Sequence, residues 1–100
     1  MQKEKIYNIG YKIGLESKHL ENKNNVTTLL NYIKYNQFED FIETMLVINL
    51  ETKIQLPVEL IDYKVDRQEY VKIANLFLLG LNNGAIKRIE MKKSKEIVEG

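Results

Sequence analysis

Two pairs of carboxylates, Asp62 with Asp66 and Glu39 with Glu43, lie four residues apart, close enough on a helix or loop to face one another. Facing carboxylates can divide general acid and general base work between them. Nothing accompanies these pairs: the chain has no glycine-rich phosphate loop, no nucleophile motif and no ligands at metal spacing. Acids that cap helices or face water explain them without chemistry. Cysteine is absent and His19 is the single histidine, which removes thiolate and multi-histidine metal sites. No catalytic residue, metal site, cofactor or small-molecule substrate is therefore expected. Function would rest on binding.

The basic residues are more suggestive. Lys5, Lys12, His19 and Lys23 lie seven, seven and four residues apart, which on one continuous helix makes a stripe, with Asn8 and Tyr11 beside it. Amines interleaved with polar and aromatic side chains can follow a phosphate backbone and stack a base. A solvated lysine face explains the same spacing without function. The same pair of readings applies to Lys87, Arg88, Lys92, Lys93 and Lys95 near the C-terminus. The charge-based candidates for nucleic-acid contact are Lys5, Lys12, Lys18, Lys23, Lys34, Lys87, Arg88, Lys92 and Lys93.

Net charge is only +1, so the chain is no strongly basic nucleic-acid binder. The distribution is uneven. Residues 1–36 carry six lysines against three glutamates, whereas residues 37–69 carry three basic residues against eight acids. Such asymmetry can mark a surface facing a polyanion, and it also arises by chance in small chains.

The elements that must hold these residues read as helices. One hundred residues make one domain, and 44% hydrophobic with 29% charged residues is a globular composition. In residues 5–21, Ile6, Ile9, Ile13 and Leu20 line one face, with Tyr7 and Tyr11 flanking it. Gly10 and Gly14 inside that helix imply a bend or close approach of another helix, because each costs about 1 kcal/mol against alanine. A second helix is predicted from an Asn25 cap with Val26, Leu29, Leu30 and Ile33 buried. Asn36 and Glu39 have capping-box spacing and open a third, facing inward with Phe38, Phe41, Ile42, Met45 and Ile48. Its acids Glu39, Asp40 and Glu43 suit a helix N-terminus.

Pro57 breaks helical period and is placed at the start of a short helix. Asp66 to Glu69 resembles another capping start, for a central helix from Arg67 to Leu81. Tyr70, Ile73, Ala74, Phe77, Leu78 and Leu81 form its stripe, with Leu76 and Leu79 extending it nearly all round. Asn82-Asn83-Gly84 reads as its end. The predicted fold is all-α, a compact bundle of four to five helices over residues 1–84, followed by a basic tail, 85–100, helical or partly disordered. No signal peptide is expected from the charged start MQKEK, and apolar runs such as Leu76–Leu79 are too short to span a bilayer. A cytoplasmic location without membrane contact is expected.

The succession Leu29-Leu30-Asn31-Tyr32-Ile33-Lys34, then Phe41 and Met45-Leu46, then Ile54-Gln55-Leu56-Pro57, then Asn75-Leu76-Phe77-Leu78-Leu79-Gly80-Leu81-Asn82 resembles the C-terminal helical region of the large subunit of type I-B CRISPR Cascade complexes. Gly10 and Ile13-Gly14 fit that region's opening. The resemblance spans roughly residues 5–84 and rests on apolar positions. In that family the C-terminal part of the large-subunit gene can be translated separately as the small subunit, and a chain opening at Met1 over this region agrees with that origin. The resemblance implies a non-enzymatic subunit, present in several copies. It would contact the large and backbone subunits, the guide RNA–target DNA duplex and the displaced DNA strand. The alternative is a helical protein–protein adaptor or regulator with no nucleic-acid role, using Glu39, Asp40 and Glu43 as its surface.

Overall fold

Four glycines govern how the principal helices meet. The computed structural model describes residues 3–62 and 66–99, with side chains as far as residue 94. Lys64 and the Lys95 side chain lie outside the described residues. Helix α1 (Lys3–Glu16) carries Gly10 and Gly14, and helix α5 (Arg67–Glu99) carries Gly80 and Gly84 at the same spacing. A Cβ on Gly10 would strike the Phe77 carbonyl, and one on Gly14 the Leu81 carbonyl. Conversely, Gly80 and Gly84 lie on the carbonyls of Tyr7 and Tyr11. Because both sets advance together, the helices are parallel, backbone against backbone. Such approach brings Cα–H groups to carbonyl oxygens and adds dispersion contact that any side chain would prevent.

A 3-10 turn (His19–Glu21) leads to α2 (Lys23–Lys34), then α3 (Phe38–Thr52), a short α4 (Val58–Ile61) and α5. The fold is all-α, with no strand among the described residues. Phe38 at the start of α3 packs on Tyr70 in the first turns of α5, ring centroids 4.8 Å apart. Asn36, just past α2, accepts a hydrogen bond from Arg67 Nε at 3.1 Å. At the other end Glu51 of α3 meets Ser17 and Lys18 after α1. Thus α1, α3 and α5 point one way and α2 the other. Residues 53–62 return the chain to the start of α5, burying Leu56, Pro57 and Leu60 on the way.

The core contains the apolar stripes expected: Ile6 and Ile13, Val26, Leu29 and Ile33, Phe38, Phe41, Met45 and Ile48, and Tyr70 through Leu81 on α5. Two leucines assigned to those stripes face water, Leu30 at 44% and Leu79 at 53% exposure. Each lies at the edge of an apolar arc wider than the neighbouring helices cover.

Local ends differ more. The expected helix over 5–21 stops at Glu16, because the buried Ser17 and the Lys18 amide both donate to Glu51, at 3.1 and 2.9 Å. Asn22 rather than Asn25 caps α2, accepting from the Asn24 amide, while Asn25 donates from its side chain to the His19 carbonyl. Asn36 does not open α3. It closes α2 with a left-handed φ of 61°, while its own amide bonds Ile33 O and the Gln37 amide bonds Tyr32 O. That double bond pattern is a Schellman closure, for which asparagine tolerates positive φ. Asp66 does cap α5, accepting from the Gln68 and Glu69 amides at 2.8 and 3.4 Å.

The largest departure is at Asn82-Asn83-Gly84, where α5 continues through to Glu99. The residues chosen as a stop signal are used for packing: Gly84 admits α1, and Asn83 Nδ2 donates to the Tyr7 hydroxyl at 2.9 Å. At about 1.5 Å per residue, a helix of 33 residues spans ~50 Å, which accounts for the 51 Å long axis.

Candidate nucleic-acid interface

The end of α1 leaves carbonyls without helical partners and a partial negative charge. Arg88, one turn past Gly84 on α5, answers both, donating from Nη1 to the Leu15 carbonyl at 3.0 Å and from Nε to Glu21 at 2.8 Å. Lys92 Nζ reaches the same glutamate at 3.5 Å. The Arg88 hydrogen bond holds the Glu21 carboxyl below the usual carboxylate range. Arg88 is thus a structural clamp between α5 and α1, with its side chain 25% exposed.

This clamp gathers most of the expected cations at one end of the molecule. Lys18, Lys23, Lys87, Lys92 and Lys93 are all exposed there, around the ends of α1 and α3 and the projecting part of α5. Acids share the region: Glu21 pairs with Arg88 and Lys92, and Glu51 lies 3.7 Å from His19 Nε2. The Glu51 carboxyl is held low, first by the Lys18 amide and next by the Ser17 hydroxyl. Lys5 and Lys12 are also exposed but sit on the outward face of α1, away from α5. Because the helix stops at Glu16, the single stripe through His19 and Lys23 does not form.

Lys34 lies at the opposite end, where α2 finishes beside the start of α5. There it lines a groove of about 720 Å³ together with Arg67 and Lys72, cations outside the set that charge spacing singles out. Asn31, Asn36, Gln68 and Asn75 line it as well, and among the described residues no acid does. A sequence signal existed: Gln68, Lys72 and Asn75 are spaced four and three apart, as Asn31 and Lys34 are three apart, so both helices present a polar stripe. What periodicity could not supply was that the two stripes meet.

The acids weighed as acid–base pairs are exposed, and Asp66 is occupied as a cap. Among the described residues, no group of three or more His, Asp or Glu side chains is placed to hold a metal. Nor is any helix there long and apolar enough to cross a membrane. No protein-family model, curated protein or solved structure matches the chain.

Proposed function

We propose that the chain is a non-catalytic small subunit of a type I CRISPR effector complex, contacting its large and backbone subunits and steadying the guide–target duplex and the displaced strand. The observation carrying this reading is the order of its core segments. Leu29 to Lys34, Phe41 with Met45, Ile54 to Pro57 and Asn75 to Asn82 supply much of the buried interior, in the succession that resembles the type I-B large subunit's C-terminal region. The surface agrees with such a part. Its cations fall in separate groups, at both ends of the molecule and on the outer face of α1, and acids share the fuller end, so each copy offers weak phosphate contacts that repetition multiplies.

The test is co-expression with the remaining effector subunits and a guide RNA. Co-purification with them, followed by loss of target binding when Lys5, Lys12 and Lys23 are changed to glutamate with helicity intact, is the expected result. Full R-loop formation by that triple variant at physiological salt would show that these exposed lysines of α1 and α2 do not hold the target.

A second reading, a protein–protein adaptor without nucleic acid, is favoured by the outward side of α3. Beyond Glu39, Asp40 and Glu43 this side exposes Leu46, Val47 and Leu50, at 46%, 61% and 79%. Several exposed large apolar residues on one helix suit a protein contact. Salt-independent self-association with no binding of DNA would favour that reading over the first.

A further inference from the structure

We infer that the groove between the end of α2 and the start of α5 is a track for single-stranded nucleic acid, an assignment that rests on the nucleic-acid reading above but locates it away from the exposed lysines. Three observations meet there. The first is cationic charge outside any ion pair: Lys34, Arg67 and Lys72 line the groove, and among the described residues none of them is in an ion pair, while Glu39, Asp40 and Glu69 at the same end of the molecule lie outside its lining. The acid nearest Arg67 in sequence, Asp66, has its carboxylate turned to the Gln68 and Glu69 amides as the helix cap, and Glu69, one turn before Lys72, lines a different pocket with Val58 and Ile73. Arg67 is anchored rather than free, because Asn36 Oδ1 accepts from its Nε at 3.1 Å. The remaining guanidinium donors stay available to a phosphate. Arg67 and Lys72 are five residues apart, about 7.5 Å along the helix axis, so they address separate anions rather than one.

The second observation is the amides. Asn31, Gln68 and Asn75 line the groove together with the cations. A carboxamide carries donors and an acceptor, so it accepts base edges of any pattern without a fixed preference. The third is an aromatic surface. Tyr35 follows Lys34 in the chain, next to the groove rather than in its lining, and is 63% exposed, with Lys34 Nζ lying over its ring 5.5 Å from the centroid. Leu30, on the groove wall, is 44% exposed. A cationic groove beside an exposed ring is the combination that holds unpaired strands, since bases stack on the ring while phosphates meet the cations. A duplex hides its base faces and would leave Tyr35 and Leu30 unused. The other cationic end lacks this arrangement, because Glu21 and Glu51 partly neutralise it.

The experiment is fluorescence anisotropy of a labelled oligothymidylate with the full chain, titrated across a range of salt. Wild-type protein should bind with a measurable salt slope. The variant Lys34→Gln/Arg67→Gln/Lys72→Gln, with wild-type helicity by circular dichroism, should bind more than tenfold more weakly. Its slope should fall by about 2, since each phosphate contact with a single strand contributes about 0.7. Tyr35→Ala, which removes an exposed ring and no charge, should weaken binding about tenfold while keeping the slope. No binding by wild type, unchanged binding by both variants, or tighter binding of duplex DNA with Tyr35→Ala silent would each overturn the assignment. So would displacement of the oligonucleotide by an equimolar acidic peptide, which would make the groove a protein site. Failure of the effector-complex reading looks different: the chain would bind oligonucleotide through this groove yet not co-purify with the other subunits.

Discussion

Tyr70 carries a hydroxyl into the core, where an unpaired polar group is costly. It meets that demand by donating to the Leu60 carbonyl at 2.7 Å, and burial pushes its ionisation well above the usual tyrosine range. Tyr70→Phe should therefore destabilise the fold by about 1–2 kcal/mol, through the loss of the buried bond to the Leu60 carbonyl; urea unfolding measures this. Glu51 makes a pH prediction. Its pKa is depressed in the folded state from an ordinary value of 4.5, so its contribution is present above that value and disappears as pH falls through the folded one. Wild-type stability should fall more steeply than that of Glu51→Gln on acidification from pH ~5 to pH ~3. Equal slopes in thermal melts across that window would show that the Ser17 and Lys18 bonds do not favour the ionised form.

At the scale of elements, the α1–α5 pair reverses the usual effect of a helical glycine. Alanine in a helix interior ordinarily stabilises by about 1 kcal/mol over glycine. Here a methyl group at Gly10, Gly14, Gly80 or Gly84 would meet backbone carbonyls, which cannot rotate aside. Gly14→Ala and Gly84→Ala should each cost about 1–3 kcal/mol, the range for overpacking a close-packed interface. Chemical denaturation decides the sign, and a stabilised Gly84→Ala would mean that the helices are farther apart than described. The same packing explains why α5 outlasts its apparent stop signal. Its backbone is held against α1 on one side and clamped by Arg88 beyond.

At the scale of the molecule, charge is sorted by topology. Three parallel helices put the acids of their first turns near one end, as Glu39, Asp40 and Glu69 are, and the lysines that follow α1 and α5's Gly84 at the other. Long-range attraction of a polyanion to that basic end should be an effect on association rate and salt dependence. Changing Lys18, Lys23, Lys87 and Lys93 to glutamine should slow oligonucleotide association at low salt. At moderate salt it should leave most of the equilibrium affinity, which the α2–α5 groove supplies; stopped-flow fluorescence separates the two.

The sequence by itself determined the helices and most of the interior, because apolar spacing of three and four is a property of each segment alone. It showed the Asp66 cap, the early turn at Pro57 and the absence of cysteine chemistry for the same reason. The helix end at Glu16 was decided by tertiary contacts, since Glu51 accepts from the Ser17 hydroxyl and the Lys18 amide from more than thirty residues away, and the Asn36 side chain is taken by Arg67 at similar range. So was the use of four glycines: the spacing within each pair is visible in the chain, but only docking makes one pair's missing side chains the space for the other's backbone. The candidate site divides likewise. Individual lysines could be read as exposed, whereas the groove of Lys34, Arg67 and Lys72 exists because α2 runs antiparallel to α5, and no periodicity within either helix contains that fact.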